Sequence, residues 1–150
     1  MSVHFYDVGQ ALAALVDLPD GRHVLVDAGD SPHRAECDDC AMKHAHLIQK
    51  LRSDLAGAAL DIVWITHQHS DHLGGAPEVL GAFKVGSYVD NGRDPEKDEV
   101  RRAHEAADKR GTARRVVDPE HLDVPIVSSP EVRFTAIVPA SWPGPRTSRD

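Results

Sequence analysis

Asp61-Ile62-Val63-Trp64-Ile65-Thr66-His67-Gln68-His69-Ser70-Asp71-His72-Leu73-Gly74-Gly75 is the stretch that decides how this chain is read. Its first six residues form an apolar, β-branched run, short enough for a buried strand and too short for a helix. The strand delivers the chain to four metal-competent side chains, His67, His69, Asp71 and His72, packed into six residues. Alternate residues of an extended segment point the same way, so His67 and His69 can reach one cation, while Asp71 and His72, beyond the bend, can reach another. Gly74-Gly75 relieves the steric limits on the backbone and lets it turn tightly into the next helix. Neutral imidazole and carboxylate suit Zn²⁺, with Mn²⁺ or Fe²⁺ as alternatives, and a cation so held lowers the pKa of its water. Two cations about 3.5–4 Å apart can stabilise both the nucleophile and the leaving oxygen. Asp71 is the candidate catalytic residue, binding metal and orienting the hydroxide. The bland alternative is a set of surface histidines in a polar loop. A chance His-x-His-x-Asp-His directly after a buried strand argues against it.

Working outward, the first thirty residues read as strands over Val3 to Val8, Ala13 to Leu18 and His23 to Val26. Pro19-Asp20-Gly21 is a turn signal, with proline fixing the entry and glycine accepting positive φ, so the second and third strands pair antiparallel. Ala41, Met42, Ala45, Ile48, Leu51 and Leu55 recur at helical spacing, with Gly57 as a stop. Pro77 fits a first helical turn, with Val79, Leu80 and Phe83 as its buried face, and Lys84 to Val89 reads as another strand. Asp94-Pro95-Glu96 signals a helix start, for a charged helix stopping near Gly111. Val116-Val117, Ile126-Val127 and Val132 to Val138 suggest further short strands. Strands first, then helix and strand in alternation, give an α/β arrangement with a mixed sheet. Residues 1–138 are expected to form the domain, and three prolines and a glycine in the last twelve residues make 139–150 an irregular tail.

The composition, 41% hydrophobic and 27% charged over 150 residues, is that of one ordinary globular domain. There is no long apolar run, so no membrane segment is read. The N-terminus lacks a basic start and an apolar core, so no secretory signal is read and a cytoplasmic location is expected. A net charge of -7 removes the overall positive field that drives non-specific nucleic-acid binding, yet metals can supply positive charge locally. Nucleic acid therefore stays open as a substrate.

Thr66-His67-Gln68-His69-Ser70-Asp71-His72-Leu73-Gly74-Gly75 resembles the metal-binding signature of the metallo-β-lactamase superfamily. Phe5-Tyr6-Asp7-Val8-Gly9-Gln10 and Val24-Leu25-Val26-Asp27-Ala28-Gly29 further resemble the branch that includes the hydrolase domain of ComEC-type competence proteins. The resemblance covers residues 3 to 138. It implies an αββα sandwich with a dinuclear site, usually zinc, in which His67 and His69 serve one metal and Asp71 and His72 the other. Asp27 would be a structural support. The implied activity is metal-dependent hydrolysis of a small-molecule or phosphodiester substrate, nucleic acid included. Two departures stand out. The branch continues after Val8-Gly9-Gln10 with Gly-Asp, where this chain has Ala11-Leu12. The family's later half also supplies another histidine to the first site, and a bridging aspartate and a further histidine to the second, and no motif here matches them. The expected chain is thus the N-terminal portion of the sandwich. It would be a complete hydrolase, a non-catalytic metal-binding fragment, or a module completed by a partner, including a second copy of itself.

His104 and His121 are the remaining candidates for missing ligands, but neither sits in a motif, and surface histidine is the commoner reading. Cys37-x-x-Cys40 suits a metal or redox pair better than a loop-closing structural disulfide. With His44 and His46 it could form a small zinc site, and oxidation to a local disulfide is the alternative. Asp90-Asn91-Gly92 is a turn signal in which Asn91 could touch substrate. Arg101-Arg102 and Arg114-Arg115 are the basic pairs able to attract phosphate, though acids are interleaved with them and solvated surface is their usual role.

Overall fold

A computed structural model describes residues 1–117 and 125–135. Among the described residues, eight strands and four helices follow in the order β1 (Ser2–Phe5), β2 (Ala14–Asp17), β3 (His23–Val26), α1 (Cys40–Leu55), β4 (Leu60–Trp64), α2 (Ser70–Leu73), α3 (Ala76–Ala82), β5 (Val85–Asp90), α4 (Asp98–Lys109), β6 (Ala113–Val116), β7 (Val127–Ser128) and β8 (Arg133–Phe134). The first six strands form one sheet in sequence order, and β7 pairs with β8 in a separate hairpin. β1–β2 and β2–β3 are antiparallel, and β3 through β6 run parallel. This is a mixed α/β architecture with a central sheet and helices, consistent with the metallo-β-lactamase fold. The proposed strand Val132 to Val138 is described only in part, and His121 and residues 139–150 lie outside the described residues.

The period-2 alternation of β2 to β5 sorts their side chains between two cores. Leu15, Leu25, Val63 and Tyr88 stand in register across β2 to β5 and face the helices, where they meet Leu47 and Leu51 of α1, Val79 and Leu80 of α3, and Val100 and Ala103 of α4. Val16, Val24, Ile62 and Val89 point to the other face. A half sandwich is expected to leave that face bare. The described residues instead place Val117, Ile126 and Val127 on it, with Val132 and Phe134 of the hairpin, and Phe134 meets Trp64 edge-on at 5.4 Å.

Two expectations are corrected. The buried face of α1 is Cys40, His44, Leu47, Leu51 and Leu55, whereas Met42 is exposed. Helix α4 begins at Asp98, with Lys97 as cap, and Asp94 sits at φ +49° in a preceding turn closed by the Lys97 N–H on the Asp94 carbonyl. Asp98 and Glu99 then place two acids in the first turn, where the partial positive charge of the helix N-terminus favours them.

Candidate metal centre

Parallel strands end together, so β3 and β4 bring Asp27 and the histidine loop to one edge of the sheet, the usual position for sites in open α/β sheets. The turn after β3 and the loop after β4 are stitched by backbone. Asp27 N–H donates to the Trp64 carbonyl, Ala28 N–H to that of His72, and Gly75 N–H to that of Gly29. Leu12 N–H donates to the Asp71 carbonyl and its own carbonyl accepts from Gly29 N–H, so the Ala11-Leu12 departure falls on main-chain bonds that any residue but proline can make. Gly75 is required by space: an added Cβ would run into the Ala28 carbonyl oxygen and lie 2.7 Å from His44 Nδ1.

Asp27 is the hub. It is fully buried, sits at φ +57°, and accepts from Thr66 N–H at 2.8 Å, from the Thr66 hydroxyl at 2.8 Å and from His72 Nδ1 at 2.7 Å. Because the Thr66 hydroxyl proton goes to Asp27, its oxygen is left to accept from His67 Nδ1, 3.1 Å away. Both rings thus carry their proton on Nδ1 and present Nε2 as a lone pair, an assignment made from the hydrogen-bond network. Burial, then the neighbouring His72 and His69, lower the His67 pKa against the opposing pull of Asp27 and Asp71, which keeps the ring neutral.

The donor atoms then fall into two pairs. His67 Nε2 and His69 Nδ1 are 3.1 Å apart, and His72 Nε2 and Asp71 Oδ2 are 3.6 Å apart. The His67 and His72 rings lie with centroids 4.0 Å apart, which places the pairs side by side. With bonds of 2.0–2.1 Å at a tetrahedral angle, two donors to one zinc would sit about 3.4 Å apart. Both pairs match that spacing, so the residues present fit a divalent cation at each. Each pair supplies only two donors. Among the described residues, the one group of three His, Cys, Asp or Glu donors within 4.8 Å of one another is Cys37, Asp39 and Cys40.

The other candidates are placed elsewhere. His104 Nε2 bonds the buried Asp90 carboxylate at 2.8 Å, and its ring meets Tyr88 edge-on at 5.7 Å. Asn91 is buried and its Oδ1 accepts from Arg93 N–H, closing a turn. Arg101 pairs with Asp98 and Glu105, and Arg114 with Asp108, in exposed ion pairs. Cys37 and Cys40 are joined by a disulfide, and His46 is exposed. His44 is buried, and it is this burial that lowers its pKa. Its place beneath Gly75 was invisible in sequence, as was the burial of Gln68 within a polar loop.

A cleft of about 580 Å³ opens beside the loop, with His69, Ser70, Asp71, Arg34, Lys43 and Gln10 among its lining residues. The histidine–aspartate loop thus sits at the C-terminal edge of parallel strands in an α/β domain and faces this cleft. The chain belongs to the metallo-β-lactamase superfamily, whose family model matches residues 6–144. Members of this superfamily are generally hydrolytic metalloenzymes that bind divalent metals. No curated protein matches the chain. Among the described residues, no helix is long and apolar enough to cross a membrane.

Proposed function

We propose that the chain is a metal-dependent hydrolase in which His67 and His69 hold one zinc, Asp71 and His72 a second, and the substrate in the adjoining cleft is a phosphodiester. The observation that carries this reading is the pair of donor distances, 3.1 and 3.6 Å, with His72 Nδ1 held by the buried Asp27 carboxylate and His67 Nδ1 held by the Thr66 hydroxyl that donates to it. A divalent cation held by these donors supplies the Lewis acidity that makes water nucleophilic near neutral pH. Asp71, half exposed beside the cleft, orients that water as well as binding. Asp27 and Thr66 accept from Nδ1 of the two rings, which turns each Nε2 outward. Within the cleft Arg34 and Lys43 are the cationic groups. Arg34 is engaged by Asp30, and Lys43 by Asp39 at 2.7 Å, so a phosphate must compete with carboxylates that already hold them. The phosphodiester, ComEC-like reading therefore rests on the resemblance of Phe5 to Gln10 and of Val24 to Gly29, and on cations supplying the charge that the cleft lacks.

One observation favours a second reading. Catalytic zinc takes three protein ligands, and the loop offers two donors per position, which suits a non-catalytic metal-binding chain or one completed by a partner. Elemental analysis of the purified chain, paired with hydrolysis of a chromogenic phosphodiester, tests both. Two metals per chain, with hydrolysis lost in His69→Ala and Asp71→Ala, supports the enzyme. One metal or none, with hydrolysis no higher than in the variants, supports the second reading.

A further inference from the structure

Cys37, Asp39 and Cys40, at the N-terminus of α1, line the same cleft as His69 and Asp71. We propose that this segment is a redox-gated cation site, closed as a disulfide when oxidised, and holding a thiophilic divalent cation through Cys37 Sγ, Cys40 Sγ and the Asp39 carboxylate when reduced.

The three donors already lie within 4.8 Å of one another. One oxygen of Asp39 is 3.4 Å from Cys37 Sγ, and the other is held by Lys43 Nζ at 2.7 Å, one turn along the helix, so the carboxylate is oriented toward the sulfurs. Cys40 is buried and Cys37 half-buried, a setting open to a cation from the cleft and shielded on one side. A second observation concerns His44, one turn after Cys40 on the same buried face. It is 7% exposed, neither of its ring nitrogens has a partner, and it lines a small cavity together with Cys40 and Lys43. A buried, unpartnered imidazole therefore lines a cavity next to Cys40. Bracing is a weak reason for the disulfide, because a link spanning three residues restricts the unfolded chain little. Two thiolates and a carboxylate, by contrast, form a soft, strongly anionic set suited to zinc or cadmium.

The chemistry balances with an external dithiol. Its two electrons and two protons cleave the S–S bond into two thiols while the dithiol becomes a disulfide, and cation binding then releases both protons. The site is independent of the histidine loop.

Cobalt is the probe. A His67→Ala/His69→Ala variant, which removes one donor pair of the loop, is titrated with Co²⁺ after reduction and, in parallel, after oxidation by diamide. The expected result is a thiolate-to-cobalt charge-transfer band in the reduced protein, saturating at about one equivalent. The band is lost on oxidation and in Cys37→Ser/Cys40→Ser, and Zn²⁺ abolishes it. In the reduced wild-type chain, Zn²⁺ should also slow alkylation of Cys37 and Cys40 followed by mass spectrometry, a readout that does not depend on the loop variant folding. Absence of the band with both thiols titratable, its survival in the double serine variant, or alkylation indifferent to Zn²⁺ would overturn the proposal.

Discussion

Replacing Asp27 by Asn separates support of the loop from mere stability. Asn tolerates the left-handed backbone at φ +57° as well as Asp does, so the backbone is unstrained and the change is confined to one oxygen. Asn can keep an acceptor for Thr66 N–H, but it then turns an NH₂ toward His72 Nδ1–H and the Thr66 hydroxyl, which donate to Asp27 at 2.7 and 2.8 Å. Each bond to a charged acceptor is worth about 1.5–3 kcal/mol, and the hydroxyl can rotate away, so a loss of roughly 2–4 kcal/mol is expected. For a chain of this length that lowers Tm by roughly 5–15 °C.

The second consequence is specific to the site. His72 escapes the donor clash by moving its proton to Nε2, which removes the lone pair aimed at Asp71, and Thr66 no longer fixes the His67 tautomer. Zinc affinity should fall about 10–100-fold, as it does when outer partners of metal-binding histidines are removed. Urea unfolding gives the first quantity and competition with a chromophoric chelator the second. Lost stability with unchanged zinc affinity would refute the hydrogen-bond chain as the device that sets the tautomers, and would leave Asp27 as a structural clamp alone. Asp27→Ala should cost about 1 kcal/mol more, because alanine lacks the local hydrogen bonding that eases a left-handed backbone.

Three further outcomes follow from the same geometry. Gly75→Ala should destabilise by about 1–3 kcal/mol and weaken zinc binding, since its Cβ meets the Ala28 carbonyl and His44, whereas Gly81→Ala in α3 meets open space and should stabilise by about 0.5–1 kcal/mol; thermal melts of the two variants decide it. Asp17 accepts from His23, Ser2 and His4, and although burial pushes its pKa up, those bonds together bring it below the usual 3.8. A lowered folded pKa means that the ionised form stabilises the fold above the ordinary carboxylate value and that this contribution is lost as pH falls through the folded one. Asp17→Asn should therefore flatten the stability loss below about pH 4 while costing only about 0.2–1 kcal/mol at neutrality, the group being partly exposed; a wild-type slope in the variant's acid titration of unfolding would rule this out. Leu51→Ala, removing a fully buried side chain between α1 and the sheet, should cost about 2–5 kcal/mol by urea unfolding.

Much of this was legible because the informative elements are local. His23 to Val26 forms a strand as its pattern requires, Leu60–Trp64 follows the apolar run, and the spacing of His67, His69, Asp71 and His72 marked a loop in which His67 Nε2 lies 3.1 Å from His69 Nδ1 and His72 Nε2 3.6 Å from Asp71 Oδ2. Where the reading failed, competing physics was at work. Counting Cys40 and His44 as chemistry hid them as members of the buried stripe of α1, and a proline after Asp94 mimicked a helix start that the chain delays until Asp98. What sequence could not carry is pairing at a distance. Asp27 meets His72 45 positions away, and Gly75 meets His44 31 positions away, and neither pairing has a local pattern to betray it.

The hub has a consequence for the two donor pairs. His72 reaches Asp27 directly and His67 reaches it through the Thr66 hydroxyl, so one carboxylate anchors a ring in each pair. A cation held by His67 and His69 would withdraw charge from the His67 ring and would strengthen its Nδ1–H bond to Thr66 and, through that hydroxyl, the pull on Asp27. Asp27 would then be a weaker acceptor for His72, and the second pair a poorer donor set. Repulsion between two cations points the same way. Loading of the pairs should therefore be anticooperative, with the first equivalent of zinc held more tightly than the second. In Thr66→Val, which cuts the relay and keeps the volume, the two affinities should move closer together.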